Sequence, residues 1–200
     1  MKVLEMALDW AEKGFHIFPC KPDKSPYTPN GFKDATTNQA TILKWWGKWP
    51  NAMIGMSTGK INNIWVLDID ALKKDGEQSG YDSLSKLTEK FGELPKTLTQ
   101  KTMNGGRHYI FRYPQDGGDI SNSAGKVGSK IDVRGDGGYI ILAPSISSDG
   151  LQYTIIDDSP IAEAPDWLVE IVRAKKRYRQ SKQVSESSIT HAMSTRLRPH

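Results

Sequence analysis

The stretch Ile64-Trp65-Val66-Leu67-Asp68-Ile69-Asp70 decides how this chain is read. Five of its residues are apolar, which predicts a strand inside a sheet, yet two carboxylates sit two positions apart near its end. Side chains of a strand alternate between faces, so Asp68 and Asp70 emerge together while Leu67 and Ile69 point to the other face. Neighbouring carboxylates repel, and burying one without a partner is costly. The arrangement is favourable when something positive sits between them.

Helix and strand patterns surround this strand. Val3, Leu4, Ala7, Leu8 and Ala11 recur at helical spacing and Gly14 ends the pattern, which predicts an amphipathic helix over 2–13. A short strand is expected at 15–18 and a helix at 37–48, whose Trp45, Trp46 and Trp49 read as core before Pro50. After the Ile64–Asp70 strand come a helix over 81–91 closed by Gly92 and strands near 98–102 and 107–113. Gly135-Asp136-Gly137-Gly138 between strands at 130–134 and 139–143 carries a hairpin signal, and 167–178 is expected to close the fold as a helix. This order predicts an α/β or α+β fold with a mainly antiparallel sheet.

Composition limits the function classes. Among 200 residues, 37% are hydrophobic and 25% charged, as in an ordinary soluble chain. No run has the length of a membrane span, and Glu5, Asp9 and Glu12 interrupt the N-terminus, so a cytoplasmic protein without membrane contact is expected. Cys20 is the only cysteine, which excludes an internal disulfide and leaves His16 and Cys20 unable to complete a zinc tetrahedron. The charge is uneven. Residues 173–200 hold eight basic side chains against Glu186, a net of +7, so residues 1–172 carry −3 of the total of +4. That basic, Ser-rich tail reads either as a phosphate-neutralising arm or as a solvated linker to another domain.

Chemistry gathers on one expected face. Alternation in Arg107–Tyr113 sets Tyr109, Phe111 and Tyr113 apart from His108, Ile110 and Arg112, and in Lys130–Arg134 it pairs Asp132 with Arg134. Three strands thus offer Asp68 and Asp70, His108, and Asp132 to what could be a shared surface. Carboxylate oxygens are hard ligands suited to Mg²⁺ or Mn²⁺. Gly105 and Gly106, just before His108, would let backbone approach a phosphate. Each piece has a plain reading too: a solvated strand end for Asp68 and Asp70, a hydrogen-bonded structural histidine for His108, a solvated charge for Arg112.

These residues, with their neighbours, resemble the bifunctional primase/polymerase domain of phage, prophage and plasmid replication proteins, in the archaeo-eukaryotic primase superfamily. The resemblance runs from about Ala7 to Trp167. It rests on Gly31-Phe32-Lys33-Asp34-Ala35-Thr36, Trp45-Trp46 with Pro50, Ile54-Gly55-Met56-Ser57-Thr58-Gly59, Val66-Leu67-Asp68-Ile69-Asp70 and Leu94-Pro95-Lys96-Thr97. It continues through Thr102-Met103-Asn104-Gly105-Gly106-Arg107-His108 and Ile131 to Tyr139, then Ala143-Pro144-Ser145. It implies a small α/β unit joined to an RRM-like unit whose first strand carries the acidic pair. It further implies a template-directed nucleotidyltransferase, a DNA primase, a DNA polymerase or both, with residues 1–172 as the catalytic domain and single-stranded DNA template, primer and NTP or dNTP as partners.

In that resemblance Asp68, Asp70 and Asp132 look like the ligands of two Mg²⁺ or Mn²⁺ ions, set about 3.5–4 Å apart as in other two-metal sites. His108 looks like the histidine that contacts the incoming nucleotide's phosphates. Lys33, Arg107 and Arg134 are added as phosphate donors from their charge and motif position. A single cysteine cannot build the zinc stem of archaeal-plasmid members, so no zinc is expected. No G-x-x-x-x-G-K-[ST] loop occurs, so a helicase is expected beyond the tail or on another protein. Two other classes remain open on the residues alone: a metal-dependent phosphoesterase or nuclease, and a non-catalytic DNA-binding initiator module.

Overall fold

Residues 3–71 and 78–174 are described by the structure, a computed structural model. The helical spacing near the start gives α1 (Val3–Glu12), which buries Ala7, Trp10 and Ala11 and stops at Gly14, whose φ of +89° reverses the chain. It leads into β1 (Ile17–Cys20), buried at every position. A 3₁₀ turn (Gly31–Asp34) precedes α2 (Gln39–Lys48), capped where the Asn38 side chain accepts from Thr41 N. Trp46 is buried on α2 and donates its indole N–H to Ala52 O, as core tryptophans do.

Two sheets follow. The first orders β1, β2 (Met53–Ser57) and β8 (Tyr139–Leu142), antiparallel throughout. The second orders β6 (Ser123–Gly128), β7 (Ile131–Arg134), β3 (Ile64–Ile69), β5 (Arg107–Arg112), β4 (Thr99–Lys101) and β9 (Thr154–Asp157), with β10 (Ala162–Glu163) lying parallel to β5. Between β3 and β4 runs α3 (Gly80–Phe91), opened by a reciprocal Ser79–Asp82 capping box and closed at Gly92, where φ is +104°. The β-α-β-β order after Asn63 is thus present, and the fold is α+β with mainly antiparallel sheets.

β3 is central and buried on both sides. Its Trp65, Leu67 and Ile69 pack with α3 and the helix at residues 166–174, whose Leu168 is fully buried. Its Ile64 and Val66 face the other way, toward Ile110 of β5, toward α1 and α2, and toward Ile54, Met56, Ile140 and Leu142 of the first sheet. Both faces of β5 are therefore core faces: Ile110 is as buried as Phe111.

The hairpin expected at Gly135–Gly138 is not formed. β7 pairs with β3 and β6 while β8 pairs with β2, so these four residues carry the chain from one sheet to the other. Long-range contacts set that path. Asp136 donates its N–H to Ile120 O and accepts from Lys60 N and the Tyr113 hydroxyl, and a Cβ at Gly135 would meet Ile120 O at 2.0 Å.

The predicted closing helix begins at residue 166 and is described to 174. Arg173, counted with the basic tail, belongs to the folded part: it grips Asp116 at 2.6 and 2.9 Å and donates to Gly118 O. The tail beyond, and the end of the expected helix, lie outside the described residues. Among the described residues no helix is long and apolar enough to cross a membrane. Cys20 is buried, and desolvation followed by the Asp23 charge pushes its thiol up to about 12, which leaves it inert.

Candidate active site

The row Ile64, Val66 continues on the same face of β3 with Asp68, so apolar packing between the sheets gives way to a carboxylate at the mouth of a cleft. Asp68 is the cross-strand partner of His108 on β5 and of Asp132 on β7. Cross-strand partners bring side chains within about 4.5–5.5 Å at Cβ, which is why three residues distant in sequence become neighbours. The cleft, about 860 Å³, is lined by Asp68, Asp70, His108 and Arg134 on or beside the larger sheet, by Tyr139 of the smaller one and by Tyr153 just before β9.

Positive partners for Asp68 are present, and one of them also reaches Asp132. His108 Nε2 lies 3.3 Å from Asp68 Oδ1, and Arg134 Nη2 stands 3.4 Å from Asp68 Oδ2 and 2.9 Å from Asp132 Oδ2. Burial works to raise the Asp68 carboxyl, but the hydrogen bond from His108, with the Arg134 guanidinium behind it, prevails and holds it below its usual range. Asp132 also accepts from Gly125 N at 3.0 Å and joins the cleft through Arg134. Asp70 lies one residue past β3. Its N–H donates to Lys130 O and its carbonyl accepts from Gly80 N, each at 2.9 Å, which fixes the backbone that aims its side chain at the cleft.

Not every expected residue joins them. Arg107 stands on the opposite face of β5, over the Tyr81 ring and bonded to the Tyr109 hydroxyl, because a one-residue step along a strand reverses the side chain. Lys33 is exposed on the 3₁₀ turn, while its neighbour Phe32 stacks on Tyr139 at the cleft wall. Gly106 has a different reason from close approach to a ligand: a Cβ there would meet Ile69 O at 2.3 Å, so the glycine lets the 102–106 turn press against β3. That turn closes with Thr102 N donating to Gly106 O and Gly105 N donating to Thr102 O.

Three contributors escape sequence reading. Lys24 reaches the cleft wall from a turn where its φ is +72°. Gln100, fully buried on β4, bonds His108 Nδ1 at 2.7 Å. Tyr153 is 2% exposed with its ring 6.0 Å from His108. Among the described residues its hydroxyl has no hydrogen-bond partner. Burial, then the charge of Asp68, push this hydroxyl well above its ordinary range, so it stays a donor. The only local signals were a polar residue on an otherwise buried strand and an aromatic near a loop, neither specific.

The fold and site define a class: an α+β protein in which an acid–acid–histidine register across three antiparallel strands floors a cleft between two sheets. The chain belongs to the bifunctional DNA primase/polymerase N-terminal family, whose model matches residues 7–167. No curated protein matches it.

Proposed function

We propose that this domain is a template-directed nucleotidyltransferase, a DNA primase, a DNA polymerase or both, which joins NTP or dNTP units on single-stranded DNA during phage, plasmid or prophage replication. Family membership supports the replication function. The observation that carries the chemistry is the register of Asp68 between His108 and Asp132 at the floor of a cleft large enough for a nucleotide.

Asp68, Asp70 and Asp132 would hold two divalent ions, Mg²⁺ or Mn²⁺, in this reading. The donor set fits: hard carboxylate oxygens, two of which already converge on a cation, the Arg134 guanidinium. Among the described residues no three His, Cys, Asp or Glu side chains are grouped around a common point, and Arg134 stands between Asp68 and Asp132. When bound, such ions lower the pKa of an attacking 3′-hydroxyl and offset the charge of departing pyrophosphate. The remaining groups act on the nucleotide. His108 Nε2, Arg134 and Lys24 supply donors for phosphate oxygens, and the unpartnered Tyr153 hydroxyl donates to a polar atom of the ligand. Zinc has no part in this reading. A helicase, in the same chain or in trans, is the expected partner for duplex templates.

Primer extension and de novo priming on single-stranded DNA, run with ribo- and deoxynucleotides and with Mg²⁺ or Mn²⁺, test the proposal. Lengthened products that vanish on chelation are expected. Shortening of the primer would point to a nuclease instead.

A further inference from the structure

Gln100 ties the two sheets together directly beneath the cleft. Its Oε1 accepts from Ala143 N at 2.9 Å, and its Nε2 lies 2.6 Å from Ile141 O and 2.7 Å from His108 Nδ1. A backbone N–H can only donate and a carbonyl can only accept, so these two groups fix which end of the amide is which. A flipped amide would set oxygen against the Ile141 carbonyl and NH₂ against the Ala143 N–H, two mismatched contacts in a fully buried place. With the amide so oriented, one NH₂ hydrogen goes to Ile141 O and the other points at His108 Nδ1. That nitrogen must accept. In a neutral imidazole the other nitrogen then carries the hydrogen, and here it faces Asp68 Oδ1 at 3.3 Å, on the cleft side.

We propose that Gln100 is a positioning residue that fixes His108 as the Nε2–H tautomer, so that the ring presents a hydrogen-bond donor to the cleft and not a metal-ligating lone pair. A donor in that place suits an anionic oxygen such as a nucleotide phosphate. This consequence rests on the nucleotidyltransferase reading; the tautomer does not. Because the other partners of Gln100 belong to β8, the aim of the donor is tied to the spacing between the two sheets.

The test uses the full chain labelled with ¹⁵N-histidine, the His108 signals being identified by their loss in His108→Ala. With the ring neutral, wild-type His108 is expected to show a proton-bearing Nε2 and an imine-like Nδ1. Gln100→Glu keeps the side chain's shape but sets a carboxylate against Nδ1, and it should move the hydrogen to Nδ1. The same variant should weaken binding of Mg²⁺-dATP about tenfold, near 1.4 kcal/mol, and should add nothing further in a His108→Ala background. A proton on Nδ1 in the wild type, or an even mixture of tautomers, overturns the proposal; if Gln100→Glu does not fold, that spectrum alone decides it. The expected tautomers with dATP affinity unchanged in both Gln100→Glu and His108→Ala would uphold the role of Gln100 and overturn the phosphate-binding reading of His108.

Discussion

Asp68 and His108 are cross-strand partners on β3 and β5, with carboxylate and imidazole 3.3 Å apart and both largely shielded from water. Arg134 reaches the other Asp68 oxygen from β7 at 3.4 Å, so one carboxylate is held from both neighbouring strands. The contact makes Asp68 the hinge of the site. It also separates the roles of the residues around it, and each role can be measured.

Replacing Asp70 with Asn should abolish nucleotide incorporation while leaving the fold intact. The amide keeps the shape and loses the negative charge, and a loss of at least about 10²-fold is expected when one such electrostatic group is removed. Primer extension with Mg²⁺ or Mn²⁺ measures the rate and circular dichroism checks the fold; extension near the wild-type rate would remove Asp70 from the metal assignment.

His108→Ala should weaken nucleotide binding by roughly 1.5–3 kcal/mol, the cost of one charge-assisted hydrogen bond, and leave single-stranded DNA affinity nearly unchanged. Titrations with nucleotide and with a fluorescent oligonucleotide separate the two. A collapse of DNA affinity with nucleotide affinity retained would assign the histidine to the template.

Tyr153→Phe removes a hydroxyl that has no partner among the described residues, so thermal stability should hold or rise slightly. Nucleotide affinity should still fall several-fold, by about 0.5–1.5 kcal/mol for one neutral hydrogen bond. Equal affinity in the two proteins would show that the hydroxyl does not touch the ligand.

The Asp116–Arg173 grip should give way in acid. Hydrogen bonds from Arg173 and from Gly118 N–H lower the Asp116 carboxyl from 3.8 to about 2 in the folded protein. A carboxyl lowered by folding contributes stability above its unfolded value and loses it as pH falls through the folded one. Thermal midpoints of wild type and Asp116→Asn should therefore differ at neutral pH and converge between 3.8 and about 2. A gap that persists below that window would place the effect elsewhere.

Gly106→Ala should destabilise by about 1–3 kcal/mol, as overpacking does, because the new methyl meets the Ile69 carbonyl. Incorporation should fall as well, since the turn it displaces borders the cleft. Denaturant unfolding gives the first quantity; an unchanged midpoint would mean the turn relaxes without cost.

What the sequence determined by itself was local and periodic. Strand alternation alone put Asp68 and Asp70 on the face opposite Leu67 and Ile69 and paired Asp132 with Arg134, and helical patterns marked α1, α2 and α3, with Gly14 and Gly92 closing the first and the third. Motif order along the chain was enough for the family. The tertiary structure decided what depends on distant partners. Met53–Ser57, buried at all five positions, shows no alternation to reveal a strand, and the short β6, β9 and β10 gain their hydrogen bonds only from neighbours already in place. Gly135–Gly138 has hairpin composition and does turn, with Gly138 N donating to Gly135 O, yet it crosses between sheets: the strands on either side pair with different neighbours, and Ile120, Lys60 and Tyr113 hold Asp136. Arg107 and His108 are adjacent in sequence and part company for the same geometric reason that unites His108 with Asp68: in a sheet, nearness is set by register across strands. Lys24, Gln100 and Tyr153 come from three separate segments: Gln100 meets His108 by register on the neighbouring strand, and Lys24 and Tyr153 reach the cleft from loops distant in sequence.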